Sequence, residues 1–244
     1  MMISEAPSPN FNARVDGKKP SLLILHYTDT LTGFEALKIL QSEERRVSSH
    51  YLVNDDGHIM RLVPEEMRAW HAGQSYWQGD TDINSLSIGI EIQNLGHTNG
   101  YVAFPEEQIK AVTELCRDII QRNKILPYHV LAHSDIAPER KMDPGELFPW
   151  ARLAGAGVGL WPNVTEIIEA DSHDVQDRDV EVRSLLNRYG YDPRTDFTKT
   201  VIAFQRHFEP EVFDEERPGE VTVHTLRRLM ALNKQRLALR PKAA

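Results

Sequence analysis

A single cysteine, Cys116, leaves this chain of 244 residues without a partner for an internal disulfide, which sets aside cystine-stapled scaffolds. It falls inside the helical pattern Glu106 to Cys116, where a small buried hydrophobe is the expected reading and a reactive thiol the alternative. Cationic side chains are also in deficit. The 28 Lys and Arg against 36 Asp and Glu give a formal net charge of −8, so a large electropositive surface for nucleic acid is excluded and only a local basic groove stays open. No stretch approaches the roughly 18 apolar residues of a membrane span. The opening Met1-Met2-Ile3-Ser4-Glu5-Ala6-Pro7-Ser8-Pro9-Asn10 lacks a basic start followed by an apolar run. A cytoplasmic protein is therefore expected, with the periplasm or cell envelope as the alternative. No compositional bias is present either: 41% hydrophobic, 26% charged, 14 Gly and 14 Pro exclude disordered, collagen-like and coiled-coil chains.

What is present alternates between strand-like and helix-like segments. Ser21 to Tyr27 is a short apolar run that predicts a buried strand ending near His26. Residues 33–43 carry Phe34, Leu37, Ile39 and Leu40 at helical spacing. His50 to Val53 and His58 to Val63 flank Asn54-Asp55-Asp56-Gly57, a hairpin signature. Residues 64–85 read as a long surface loop with Trp70, Tyr76 and Trp77. Ser87 to Ile92 predicts a second buried strand, a helix of about 18 residues follows Pro105, and Tyr128 to His133 predicts a last strand opening into a polar loop. The expected fold is α/β, a mixed central sheet flanked by helices. Gly155-Ala156-Gly157-Val158-Gly159 does not open a helix of a βαβ unit, so it reads as linker rather than phosphate loop. After it, three apolar stripes (Val182, Leu185, Leu186, Tyr189; Val201, Ala203, Phe204, Phe208; Val223, Leu226, Leu229, Met230) predict a small three-helix domain. The expected boundaries are 1–155, a linker 156–173, a helical domain 174–236 and a tail 237–244, with fraying from Asn233 onward.

Histidines at the ends of two buried strands can converge, because open sheets place their sites at strand ends. His26 and His133, with Asp143 further along the loop that His133 opens, make a donor set suited to zinc with a position left for water. Each histidine taken alone also fits a surface or satisfied core role. A metal hydrolase needs a base and a group to hold the oxyanion. Glu91 is the candidate base, because an ionisable group ending an apolar strand is costly without a role; a solvated strand-end carboxylate is the alternative. Lys141 leaves an extended segment on the same face as Asp143 and is the candidate for the oxyanion, or a plain surface lysine.

Ile24-Leu25-His26-Tyr27-Thr28, Ser48-Ser49-His50-Tyr51-Leu52-Val53, Ala69-Trp70-His71-Ala72-Gly73, Ser87-Ile88-Gly89-Ile90-Glu91 and the run from His133 to Gly145 occur in the order found in one family. Across roughly residues 15–155 the chain resembles the type 2 N-acetylmuramoyl-L-alanine amidases of the peptidoglycan-recognition superfamily. The resemblance implies one zinc ion per chain held by His26, His133 and Asp143, Glu91 as acid/base, and Lys141 at the tetrahedral intermediate. It implies hydrolysis of the amide between the lactyl group of N-acetylmuramic acid and L-alanine of the stem peptide, on peptidoglycan or soluble muropeptides, 1,6-anhydro forms included. It also puts Tyr51 near the metal, with His50 on the opposite face of its strand. Trp70, His71 and Asn94 are further candidates for substrate contact, with packing of the loop or rim as the other reading. A recognition protein that binds without cleaving, or a zinc hydrolase of another peptide amide, are the competing functions. Beyond residue 174 the chain resembles a peptidoglycan-binding three-helix module, although the Asp-Gly turn of that module is not evident around Asp196 and the insert Glu209 to Pro218 is acidic. A purely structural or oligomerising role is the alternative there.

Overall fold

The computed structural model describes residues 2–165 and 175–239, the side chains of 175–177 aside. The strands are β1 (Ile3–Glu5), β2 (Phe11–Ala13), β3 (Leu22–Tyr27), β4 (Tyr51–Val53), β5 (Ile59–Arg61), β6 (Met67–Ala69), β7 (Ser87–Ile92) and β8 (Val130–Ala132). A six-stranded sheet has the order β1-β5-β4-β7-β3-β8, and β2 with β6 makes a separate antiparallel pair. Within the large sheet only the β4–β5 hairpin is antiparallel. Its turn closes through the Asn54 N–H to the His58 carbonyl and a left-handed Gly57, a conformation that glycine adopts without steric cost. The mixed α/β architecture expected from the sequence is therefore present. Several short elements lay outside the sequence reading; of these, β1 and β2 are too short and too exposed to carry an apolar signature.

The helices are α1 (Gly33–Gln41), α2 (Ile83–Leu86), α3 (Gly96–Asn99), α4 (Glu106–Asn123), α5 (His133–Ile136), α6 (Trp150–Gly155), α7 (Val175–Tyr189), α8 (Phe197–Phe208), α9 (Glu211–Asp214) and α10 (Val223–Leu239). Pro105 leads into α4, and Glu106 and Glu107 sit in its first turn, where the helix dipole favours negative charge. Ile109, Val112, Leu115, Cys116 and Ile119 recur on one stripe and are all buried. Burial pushes the Cys116 thiol up, so it behaves as the small hydrophobe expected.

Alternation along the strands divides the sheet into two faces. Leu23, Leu25, Tyr51, Val53, Ile88, Ile90, Ile92, Val130 and Ala132 join the α4 stripe in one core. Leu22, Ile24 and Leu131 belong to another, shared with Val182, Leu186, Tyr189, Phe204, Phe208 and Leu229 of the C-terminal helices. His26, Glu91 and His133 follow the second alternation and open onto that second face. Those helices are thus packed against the sheet, not merely tethered to it. Trp77 is buried and meets the rings of Tyr189 and Tyr191 edge-on at 5.8 and 5.2 Å. Residues 64–85 are for this reason not the surface loop expected: they hold β6, α2 and an indole that the module covers.

The three expected C-terminal helices are α7, α8 and α10, with the short α9 inside the acidic insert. Asp196 caps α8 by accepting the Lys199 N–H at 2.9 Å, a local substitute for the missing Asp-Gly turn. Helix α10 runs to Leu239 instead of fraying from Asn233, because Asn233 donates to the carbonyls of Leu185 and Leu229 and Arg236 is buried. The expected linker 156–173 and tail 237–244 lie partly outside the described residues. No helix of the described residues is long and apolar enough to cross a membrane.

Candidate active site

Parallel pairing sets the site. The register of β3 on β7 places His26 opposite Glu91, and β8 on the other side of β3 delivers His133 one residue beyond its end. Asp143 returns on the loop after α5, where its carbonyl accepts the Ser134 N–H at 3.1 Å. The result is three buried donor atoms facing one point. His26 Nδ1 lies 2.9 Å from His133 Nδ1 and 3.0 Å from Asp143 Oδ2, and His133 Nδ1 lies 2.9 Å from Asp143 Oδ2.

Hydrogen bonds behind the rings decide which nitrogens are bare. The Ser87 hydroxyl donates to the Ile83 carbonyl at 2.7 Å and so accepts from His71 Nε2 at 3.1 Å. His71 Nδ1 is then the acceptor for His26 Nε2–H at 2.9 Å, and the His26 proton sits away from the cluster. His133 Nε2 donates to the Ala72 carbonyl at 3.2 Å. Both Nδ1 lone pairs therefore point at each other and at a carboxylate oxygen. That is an unfavourable arrangement for a cluster on its own and the right one around a cation. The spacing is also close to the edge of a tetrahedral nitrogen and oxygen site, about 3.3 Å for bonds of about 2.0 Å.

Electrostatics agree with this picture. Burial, reinforced by the neighbouring His133, lowers His26 to about 4 and keeps its ring neutral. His71 is likewise driven well below its ordinary value by burial and by the other imidazoles. For Asp143, burial acts upward, and the downward pull of His133 and His26 requires imidazoles that are charged and donate to it; with both Nδ1 atoms bare, a bound cation would have to supply that pull instead. His71 can lie this deep because Gly89 is beneath it: a Cβ on that residue would come within 2.5 Å of the ring. His71→Phe keeps an aromatic ring at this position and removes both nitrogens. Affinity for zinc is expected to fall about 10–100-fold, read by competition with a chromogenic chelator, and an unchanged affinity would show that the partner behind His26 is dispensable.

A cleft of about 420 Å³ opens over the cluster, lined among others by Trp70, His71, Glu91, His133, Lys141 and Asp143. Glu91 Oε2 is buried with no hydrogen-bond partner among the described residues. Burial, then the Asp143 charge, push its pKa well up, with Lys141 opposing. Ala36, Ile39, Leu40 and Val47 form an apolar wall, and Thr28, Asp29, Thr30 and Arg140 add polar groups.

The structure thus brings together His26, His133, Asp143, Glu91, Lys141, Trp70 and His71. It places Tyr51 and Asn94 elsewhere. Tyr51 pairs with Ile90 across β4 and β7, which turns it to the α4 face, where its hydroxyl donates to Glu65 at 2.8 Å. His50 takes the cleft side of the sheet but is fully buried, with Nδ1 accepting the Gly89 N–H and Nε2 against Arg14 and the Met67 carbonyl. Asn94 is consumed locally, donating to the Val102 carbonyl and accepting the Gly96 N–H. His71 serves His26 more than the cleft, and Trp70 lines the cleft while its indole N–H donates to Asn12. Sequence reasoning passed over Ser87 and Arg140. A serine opening an apolar strand and an arginine beside Lys141 were the available signals.

Comparison with known proteins agrees with this geometry. The family model of N-acetylmuramoyl-L-alanine amidase (Amidase_2) matches residues 16–146. The N-acetylmuramoyl-L-alanine amidase AmiD of Escherichia coli (strain K12) is 40% identical over 219 residues, 82% of this chain and 78% of that protein. The 1,6-anhydro-N-acetylmuramyl-L-alanine amidase AmpD of Citrobacter freundii is 36% identical over 164 residues, 60% of this chain and 86% of that one. Among solved structures, E. coli AmiD with the substrate anhydro-N-acetylmuramic acid-L-Ala-D-gamma-Glu-L-Lys superposes with a TM-score of 0.78 at 36% identity over 92% of each chain. AmpDh3 of Pseudomonas aeruginosa gives 0.78 at 34% identity, over 92% of this chain and 95% of that one. With the donor set, the fold and both kinds of relative in agreement, the chain belongs to the type 2 N-acetylmuramoyl-L-alanine amidase family.

Proposed function

We propose that this protein hydrolyses the amide between the lactyl group of N-acetylmuramic acid and L-alanine of the stem peptide, with zinc as its metal and soluble muropeptides, 1,6-anhydro forms included, as substrates in peptidoglycan recycling. The observation that carries the reading is the convergence of His26 Nδ1, His133 Nδ1 and Asp143 Oδ2 beside a partnerless buried carboxyl in one cleft. The substrate bound to AmiD and the names of the AmpD proteins support the choice of bond and of the anhydro sugar.

Zinc held by His26, His133 and Asp143 would polarise the scissile carbonyl and make a water acidic enough to attack near neutral pH. Glu91 takes the proton of the attacking water, and its raised pKa suits it to hold that proton and then give it up. Lys141 lines the cleft without an ion pair among the described residues and holds the negative charge on the carbonyl oxygen. As the C–N bond breaks, Glu91 returns the proton to the departing alanine nitrogen, leaving a lactyl carboxylate and a free amino group. Trp70 and the wall of Ile39, Leu40 and Val47 bury the apolar parts of the substrate. Residues 1–155 are the catalytic unit in this reading, joined through 156–173 to the helical domain 174–236.

The test is release of stem peptide from a soluble anhydro-muropeptide, followed by chromatography with chelator and after zinc is restored. Release that chelator stops and zinc restores is the expected result. No release from zinc-loaded protein would overturn the proposal and favour a recognition protein or a different amide. Intact sacculus in parallel measures whether insoluble wall is cut as well.

A further inference from the structure

Two consecutive residues of α8 reach opposite ends of the catalytic loop. His207 Nδ1 donates to Asp135 Oδ2 at 2.7 Å, and its other nitrogen, Nε2, has no partner among the described residues. Asp135 also accepts the Tyr191 hydroxyl at 2.6 Å and the Ala132 N–H at 2.8 Å. The carboxylate that caps α5, the helix that begins with His133, is thereby held by two groups of the C-terminal module. The imidazole is itself fixed by stacking on Trp150 at 3.7 Å between ring centroids.

Arg206 makes the second contact. Its Nε donates to Glu146 Oε2 at 2.9 Å, and Glu146 also faces His97 Nε2 at 3.0 Å. The other nitrogen of His97 meets the Tyr27 hydroxyl at 2.9 Å, next in sequence to His26. Lys141 and Asp143 therefore lie between two pinned residues, Asp135 and Glu146, with His133 two positions before the first, and both pins come from the module.

We propose that Arg206 and His207 are positioning residues, through which the C-terminal module holds the segment 133–146 in the geometry the metal site requires. Apolar contact alone would dock the module, as the shared core already does. Desolvated polar groups at such an interface are costly unless paired, and these are paired to the one segment that supplies two donors and a cation to the cleft. The inference rests on the metal-site reading of His133 and Asp143.

The experiment uses the full chain with His207→Phe, Arg206→Met and the double variant, set against Leu229→Ala, which opens a cavity in the module core without removing either polar contact. Zinc affinity is read by chelator competition, and kcat and KM on the anhydro-muropeptide alongside thermal midpoints. The double variant is expected to bind zinc about tenfold more weakly and to lose kcat with little change in KM. Leu229→Ala, at an equal or larger loss of midpoint, is expected to keep both. His207→Asn, which restores a donor where Nδ1 stood, is expected to recover most of the affinity that His207→Phe loses. Variants that track Leu229→Ala in affinity and kcat would overturn the proposal and leave a structural interface only. Wild-type protein that binds no zinc would overturn the metal-site reading itself, and this proposal with it.

Discussion

Glu91→Gln is expected to lower kcat by a factor of about 10²–10⁴ and, in the metal-free protein, to raise the thermal midpoint by about 2–4 °C, which for a chain of this size corresponds to about 1 kcal/mol. Both effects come from one carboxyl. Its Oε2 is buried and unpartnered, and burial together with Asp143 raises its pKa well above 4.5. A carboxyl whose pKa is raised on folding contributes its full stability only below the unfolded value and loses it as pH rises through the folded value. The advantage of the uncharged amide is thus absent below pH 4.5 and grows above it. Midpoints of both proteins at pH 4 and pH 8, with kcat measured at the upper pH, decide the matter. Retained turnover would remove Glu91 from the proton transfer, and a pH-independent midpoint difference would remove the strain argument.

Asp143→Ala is expected to abolish stoichiometric zinc binding at micromolar protein and to reduce turnover to the level seen with chelator. Loss of a partner behind a ligand costs about 10–100-fold in affinity, so loss of a ligand should exceed about 100-fold. The variant removes the only charged member of the donor set, leaving two imidazole nitrogens 2.9 Å apart. Asp143→Cys supplies a thiolate, a ligand zinc accepts, and is expected to recover much of the binding. Equilibrium dialysis with metal analysis measures both. Tight zinc in Asp143→Ala would mean that another residue supplies the third donor.

Much of this site is legible in the sequence because its residues sit where strands end. The apolar runs before His26, Glu91 and His133 locate three strands, and parallel pairing then brings their ends together. The facing of β4 is not legible. His50 and Tyr51 alternate, and only the register that sets Tyr51 against Ile90 decides that the tyrosine joins the α4 core. Asn94 looks available at a rim, but its amide is taken up by the turn that follows β7. The module helices are visible as apolar stripes, whereas their docking depends on Trp77 meeting Tyr189 and Tyr191 across more than a hundred residues of chain. No local pattern encodes such a contact.

Gly89 matters to the site out of proportion to its chemistry. It bears no functional group and lies mid-strand, yet the ring of His71 occupies the space its side chain would need. A methyl group there lifts His71, and with it the acceptor that fixes the proton of His26. A random-mutagenesis screen for loss of activity should therefore score Gly89 alongside the ligands themselves, and any redesign of the cleft inherits a strand position at which the alphabet has one letter.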